Sequence, residues 1–555
     1  MIKYATRLED KLARCVERQR RLRLGCEFCT SATGTAPAAG DDSGTSVVSG
    51  CSEPKPFEDI PGPKSLPWIG TLYKYIPYIG EYSFKKLHKN GMMKLCDYGP
   101  LVKEEIVPGE PIVWVYQPDD IAEVFKADSG RHPERRSHRA LYKYRTDRRH
   151  VYNTGGLLPT NGDDWWKLRK EFQKDLSKPQ TVLQYIEDTD SAVNEFSRVC
   201  ERNDYEDALP LLSRLFLELT CRVAFDLKVN CFSDEEMRPD SMSSKLINAA
   251  LTTNSVILPL DNGPRLWRYF NTPKYRKLVK SQMYMESIAE KFVTEKMERM
   301  KQENPGERSS LLEIYLKNPN LDKKDVIGMA CDMLLAGIDT VSTFFVRRVS
   351  WRAYSLEIFC VCFQTAYTSA FLLYHLAQNR MAQERLYFES TKLMEATNNV
   401  ITADTLKNAV YTKAVIKETM RLNPISVGVG RILQTDLVLN GYLVKKGTNV
   451  VTQNQVSCRL SDFFESPNDF VPERWLRDRN ATGQAKIHPY LVLPFGHGPR
   501  SCIARRLAEQ HMQILLLRTC KNLKFEWLGD HNLDVDSLLI NKPSSAINLL
   551  FHRRL

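Results

Sequence analysis

Residues 495–504 read Phe495-Gly496-His497-Gly498-Pro499-Arg500-Ser501-Cys502-Ile503-Ala504. Two glycines bracket a histidine, an arginine and a single cysteine follow, and a helical pattern runs from Ala504 to Leu517. Glycine tolerates positive φ, so Gly496 and Gly498 let the loop turn tightly around the sulfur. A cysteine at the mouth of a helix faces outward-pointing backbone N–H groups and the positive end of the helix dipole. Both favour the thiolate, the form that binds metal. One cysteine cannot build a closed four-ligand zinc site. It can be the lone axial thiolate of a haem. Taken alone, the loop is equally compatible with a buried structural cysteine.

Upstream, Tyr411–Leu422 reads as a helix that places Glu418 and Arg421 three apart on one face. A surface pair of this kind contributes little, and a buried one must be tied into a network. Arg474, in Phe470-Val471-Pro472-Glu473-Arg474-Trp475, is the candidate third member. Lys413 and Lys417 add a positive stripe to the same helix, and Arg505 and Arg506 stand just past Cys502. Residues 427–452 alternate like short strands, with turns at Asn440-Gly441 and Lys446-Gly447, and residues 522–555 end in short strand-like runs.

Towards the N-terminus, Asp163-Asp164-Trp165-Trp166-Lys167-Leu168-Arg169 opens a helix with acids in its first turn, as the dipole prefers. Trp165 and Arg169 share a face, where an indole N–H and a guanidinium can hold a buried carboxylate; a solvent-facing Arg packed on Trp is the alternative. The basic stretch 131–149, with Arg135, Arg136, Arg139, Arg145, Arg148 and Arg149, reads as a solvated face. Pro108–Tyr116 contains a strand-like run, Asp119–Phe125 starts a helix, and residues 180–330 are predominantly helical.

Asp325–Thr340 is an apolar helix ending Ala336-Gly337-Ile338-Asp339-Thr340. The small residues admit something bulky to the backbone. Asp339 beside Thr340 is an acid–hydroxyl pair suited to proton delivery, or else a capped helix end. The next 24 residues, 341–364, fit no helix, and joining Thr340 directly to Thr365 restores one continuous amphipathic pattern. The codons of Val341-Ser342 can carry a splice donor and those of Cys362-Phe363-Gln364 an acceptor. The segment therefore reads as a retained intron within the helix, with a genuine insertion as the alternative.

At 555 residues and 43% hydrophobic, the chain can bury a large core, and its formal net charge of +11 suits an acidic partner, a membrane surface or an organelle presequence. No zinc-finger or RNA-recognition pattern accompanies the charge, which argues against nucleic acid. Residues 1–52 are expected to be a mitochondrial presequence or a disordered basic tail. Arg7, Arg14, Arg18, Arg20, Arg21 and Arg23 precede a Ser/Thr/Gly/Ala-rich stretch, although Glu9, Asp10 and Glu17 are atypical. No stretch there approaches the roughly 20 apolar residues of a membrane span.

These pieces together resemble one family. The F-G-x-G-x-R-x-C loop, Glu418-x-x-Arg421, Phe470–Trp475, Ala336-Gly337-x-Asp339-Thr340 and Trp165-x-x-x-Arg169 stand in the order found in the cytochromes P450, over roughly residues 53–555. The resemblance implies a mainly α fold with a small β region, one haem-binding domain, and haem b held by the axial thiolate of Cys502. It implies that Trp165, Arg169, His497 and Arg500 bind the haem propionates. Glu418, Arg421 and Arg474 would form a buried network supporting the cysteine loop, and Asp339 and Thr340 would relay protons to the reacting dioxygen. Ala504 stands where the family usually has glycine.

Within the family the sequence is most similar to the mitochondrial group, and there to arthropod ecdysteroid 22-hydroxylases. The resemblance implies steroid hydroxylation with O2 on the matrix side of the inner membrane, with peripheral membrane contact. Electrons would come from an acidic ferredoxin of adrenodoxin type and its NADPH-dependent reductase, docked on Lys413, Lys417, Arg505 and Arg506. The alternatives are another substrate, xenobiotic or another ecdysteroid position, and a haem-binding protein inactivated by the insert.

Overall fold

Leu209–Phe225 carries apolar residues on every side: Leu211, Leu212, Leu215, Phe216, Leu217 and Leu219 are all buried. A helix that is apolar all round must lie inside the protein, as this one does. The computed structural model describes residues 53–338 and 365–554, apart from 129, 131, 203–205, 264, 303–308, 477–486 and 538–539. In chain order its larger elements begin with α1 (Leu87–Tyr98), β1 (Leu101–Val107), β2 (Glu110–Val115), α2 (Pro118–Ala127), α3 (Arg139–Thr146) and α4 (Gly162–Leu176). Then follow α5 (Ile186–Cys200), α6 (Leu209–Phe225), α7 (Met242–Asn262), α8 (Pro273–Gln302), α9 (Lys323–Ile338), α10 (Thr365–Gln378) and α11 (Arg380–Glu395). The last third holds α12 (Val410–Leu422), β3 (Gly430–Ile432), β4 (Leu437–Leu439), β5 (Tyr442–Val444), β6 (Asn449–Thr452), α13 (Arg505–Asn522) and four short strands between Leu523 and Arg553.

The architecture is mainly α with a small β region, as the sequence implies. The central α6 packs against α5, α9 and α10, while α13 packs against α5, α11 and α12. Both α9 and α10 lie on α6, so the two halves flanking residues 339–364 share one neighbour. The main sheet has the order β1-β2-β6-β3, with β2 and β6 parallel and the other pairs antiparallel. The β4–β5 turn has positive φ at both Asn440 (48°) and Gly441 (79°), as a tight two-residue hairpin requires.

Three features were not read from the sequence as the structure has them. β1 is a strand although it reads Leu-Val-Lys-Glu-Glu-Ile-Val. Its Glu104 is buried, accepting hydrogen bonds from Tyr75 (2.9 Å) and Trp114 (2.9 Å) and pairing with Lys94, so the charge is matched inside. The basic stretch 131–149 is not a uniform solvated face either, because Arg145 is fully buried. The haem-ligand helix begins at Arg505 rather than Ala504, which becomes its N-cap. Asp339, Thr340, the segment 341–364 and residues 1–52 lie outside the described residues. Among the described residues no helix is long and apolar enough to cross a membrane.

Candidate haem site

Gly496 and Gly498 both have φ of +70°, the conformation that glycine enters without strain. The turn they make lets the Cys502 N–H donate to the Phe495 carbonyl at 2.8 Å. Cys502 sits half-buried ahead of α13. Burial pushes its thiol up from 9.0, and the backbone hydrogen bond from Ala504 and the charges of Arg169 and Arg505 only partly oppose this. The helix-mouth argument for a free thiolate is thus outweighed by desolvation: left to itself the sulfur is a thiol at neutral pH. A metal must displace its proton.

Around this loop the structure gathers four arginines. Arg500 donates from Nε to the Pro133 carbonyl (2.6 Å) and from Nη2 to the Thr160 carbonyl (2.5 Å) and Asn161 Oδ1 (2.7 Å). Its guanidinium lies 4.2 Å from the ring centre of buried Trp165, a cation–π contact. Arg169, also buried, donates to the Ser501 carbonyl at 2.8 Å and to Gln173 at 2.6 Å, which ties α4 to the cysteine loop. Arg135 donates to the Leu158 carbonyl at 2.5 Å. Arg431, on β3, pairs with Asp128 and donates to the His497 carbonyl at 2.9 Å. Asp128 is the only carboxylate hydrogen-bonded to any of the four among the described residues.

This excess of positive charge is uncompensated. Burial, then Arg135, Arg431 and Arg169, pull Arg500 down to about 8. Burial takes Arg169 to about 10, and burial and Arg431 take Arg135 to about 10. Arg500 Nη1 and Thr160 Oγ1 are buried without a hydrogen-bond partner among the described residues. Buried donors are normally satisfied, so the cluster calls for an anion with several acceptor oxygens. The two propionates of a haem beside a cysteine ligand fit that requirement.

The sequence anticipated Trp165, Arg169 and Arg500 but missed Arg135 and Arg431. Arg135 lay in the stretch read as solvated, and nothing near Arg431 in sequence marks it. His497 lies beside the cluster, its carbonyl accepting from Arg431. Its imidazole packs 5.2 Å from Phe125 and 5.0 Å from Tyr490, between ring centres, and burial and Arg431 lower it from 6.5, so it brings no charge at neutral pH.

Behind the loop, Glu418, Arg421 and Arg474 meet as expected. Arg421 forks onto Glu418 at 2.9 and 2.8 Å, and Arg474 Nε, Trp475 Nε1 and the Val471 N–H reach the same carboxylate at 2.9, 2.9 and 3.0 Å. All three charged side chains are buried. Arg421 also donates to the carbonyls of Cys458, Pro467 and Asp469, so it pins the 458–469 loop to α12. On the outer side of α12 and α13, Lys417, Arg505 and Arg506 are exposed and Lys413 is half-buried.

The fold and the site together define a haem-thiolate protein. The cytochrome P450 profile matches residues 60–345 and 364–550, and leaves 346–363 unmatched. The chain is 46% identical to the protein named "Cytochrome P450 302a1, mitochondrial" of Drosophila melanogaster, over 90% of this chain and 95% of that one. It is 28% identical to "Probable cytochrome P450 301a1, mitochondrial" (91% and 90%) and 26% to "Ecdysone 20-monooxygenase" (88% and 88%), both of the same species. The chain belongs to the cytochrome P450 family, among its mitochondrial members, and is a haem monooxygenase. Its cofactor is haem, whose iron the family holds with a cysteine thiolate.

Proposed function

We propose that this enzyme hydroxylates an ecdysteroid precursor at carbon 22, with Cys502 as the axial ligand. Arg135, Trp165, Arg169, Arg431 and Arg500 would hold the propionates, and His497 closes the aromatic flank beside them. The observation that carries the site is the four-arginine cluster beside Cys502, in which Arg500 Nη1 is buried with no partner among the described residues. When bound, haem supplies the oxygen-activating chemistry, helped by electron donation from the thiolate. The protein's own part is to hold the substrate and exclude water. It must also deliver protons through Asp339 and Thr340. The steroid reading draws on the resemblance of the sequence and on the relative named for ecdysone. Incubating the protein with ferredoxin, reductase, NADPH and 22-deoxy ecdysteroids, and identifying the product, tests it; a hydroxyl at another carbon overturns the regiochemistry.

The exposed Lys417, Arg505 and Arg506, with Lys413, form the proposed docking face for an acidic ferredoxin. Arg505 and Arg506 occupy the first turn of α13, where the dipole disfavours cations and only Arg505 has an i+4 partner, Glu509 at 3.0 Å. Helix stability does not account for such a placement, and a negatively charged partner does.

Matrix location with residues 1–52 as presequence accords with the mitochondrial names of the relatives. Peripheral membrane contact is supported by two apolar patches beside the β1–β2 hairpin. Trp68 and Tyr78 are each 93% exposed, next to a segment tied to Glu105 through Thr71. Tyr269 and Phe270 are exposed next to Arg265, which pairs with Glu110.

A second reading is favoured by the unmatched segment 346–363. If residues 341–364 persist in the mature chain, they interrupt the helix directly after Thr340, and the product binds haem without turnover. Transcript sequencing across this junction, with turnover measured with and without the segment, separates the two.

A further inference from the structure

Glu110 opens β2 and is the meeting point of three guanidinium groups. Arg265, in the turn after α7, forks onto it, with Nη1 at 2.6 Å from Oε1 and Nη2 on Oε2. Arg136 Nη2 reaches the same Oε1 at 2.6 Å, and Arg139 Nη1, at the start of α3, at 3.4 Å. Burial raises the Glu110 carboxyl, but the Arg265 hydrogen bonds and the charges of Arg136, Arg265 and Arg139 bring it down to about 2 from 4.5. It is therefore a carboxylate at neutral pH, and one anion answers three cations. Asp261 is the other acid here, and its two oxygens accept backbone N–H groups, His138 at 2.6 Å and Arg139 at 3.0 Å. Counting both acids, one positive charge is left over. Arg136 registers the excess: burial and the charges of Arg139 and Arg265 lower it from 12.5 although Glu110 opposes them.

A cleft of about 30 Å3 opens between these side chains, lined also by Asn262. It has room for about two or three water-sized groups, the size of the free oxygens of a phosphate and far too small for a steroid. Arg136 and Arg139 are partly exposed, and each spends a single side-chain nitrogen on Glu110. Neither makes another side-chain hydrogen bond or ion pair among the described residues, so both keep guanidinium N–H groups for an arriving anion. Guanidinium forks match phosphate oxygens closely.

The surroundings say where such an anion comes from. Residues 262–285 hold Arg265, Arg268, Lys274, Arg276, Lys277 and Lys280 and no Asp or Glu. All of these cations but Arg265 are exposed, and Leu266, Tyr269 and Phe270 stand exposed among them. Across the hairpin lie exposed Trp68, Tyr78 and Ile79. Apolar and aromatic side chains flanking a basic cleft are what the headgroup zone of a bilayer accommodates, and anionic lipid attracts the cations.

We propose that Arg136, Arg139 and Arg265, gathered on Glu110, bind the phosphate of an anionic membrane lipid. This rests on the proposed peripheral membrane contact and deepens it by naming the headgroup. The fitting lipid is a phosphodiester with no cation of its own, because a choline group would meet the excess positive charge of the cleft.

The test is sedimentation of the haem-loaded full chain with vesicles of phosphatidylcholine alone or mixed with phosphatidylglycerol, at physiological ionic strength. The wild type is expected to bind the mixed vesicles at least about tenfold more tightly. R136M/R139M, in which Glu110 keeps its fork from Arg265, should lose most of that preference. K274M/R276M removes the same charge outside the cleft and should lose less, because salt screens exposed charge. R136K/R139K keeps the charge but not the fork and should still lose about fivefold; it also supplies the reading if the methionine pair fails to fold. Equal losses in the two methionine pairs, or wild-type binding by R136K/R139K, mean diffuse attraction and overturn the site. Inorganic phosphate, against chloride at equal ionic strength, tests the source. Release from the mixed vesicles by phosphate alone supports the shared phosphate chemistry. A Tm raised by phosphate in wild type and not in R136K/R139K, without preference for the mixed vesicles, assigns the cleft to free phosphate and overturns the lipid. Equal binding to both vesicles overturns the headgroup site and leaves membrane contact standing, whereas binding to neither overturns the membrane reading itself.

Discussion

Replacing Glu418 by glutamine tests the buried network behind the cysteine loop. The carboxylate accepts five hydrogen bonds: two from Arg421, one each from Arg474, Trp475 and the Val471 N–H. An amide nitrogen causes least damage at the Oε2 position, where it still faces two donors, Arg421 Nε and Trp475 Nε1, and can accept from neither. Two buried guanidinium groups then lose their only carboxylate partner among the described residues. Removing one partner of a buried ion pair costs about 3–5 kcal/mol. At about 2.1 cal/mol/K per residue, a domain of roughly 500 residues has an unfolding entropy of about 1 kcal/mol/K, so Tm falls by about 3–5 °C.

The pH profile gives an independent reading. Burial alone raises the Glu418 carboxyl, but the Arg421 hydrogen bonds and the charges of Arg421 and Arg474 bring it net below 4.5. Its folded value thus lies below its unfolded one. The stability it contributes is fully present above about pH 4.5 and is lost as pH falls through the folded value. Wild type should lose this contribution in acid, and E418Q should have nothing of it left to lose. The assay is thermal unfolding from pH 3 to 7, with haem content from the Soret band. A Tm within 1 °C of wild type, or an identical acid profile, would refute the reasoning.

Reversing charge at Lys417 and Arg506 should slow reduction by an acidic ferredoxin about tenfold at low salt, the gap closing as salt screens the encounter; stopped-flow reduction at two ionic strengths measures it. Arg431→Met leaves Asp128 unpaired and removes one cation from the anion site, so haem should dissociate at least about tenfold faster, followed by transfer to an acceptor globin. Burial raises Asp261 to about 6 from 3.8 although the His138 and Arg139 N–H groups donate to it. Its folded form binds the extra proton, so wild-type stability should decline by about 3 kcal/mol between pH 4 and 6. D261N should lack that decline in denaturant titrations.

How much of the molecule was legible follows from the range of each interaction. The Gly496–Gly498 turn, the Glu418–Arg421 face, the Asn440-Gly441 hairpin and the helices flanking Trp165 and Cys502 depend on neighbours within a few positions. The sequence therefore displays them directly, and their order along the chain identified the family. The arginines behave otherwise. Arg135, Arg145 and Arg149 look alike in a basic run, yet Arg145 is buried against Asp332, 187 residues away, and Arg431 meets Asp128 across 303. Whether a guanidinium is solvated or held inside depends on what packs opposite it. The same holds for β1, whose Glu104 hid the strand pattern until Lys94, Tyr75 and Trp114 were brought to it. For Cys502, local reasoning about the helix mouth pointed to a thiolate. In the free protein the tertiary environment opposes this, because desolvation is set by everything packed around the sulfur and not by the loop alone; the thiolate is the form that haem iron holds.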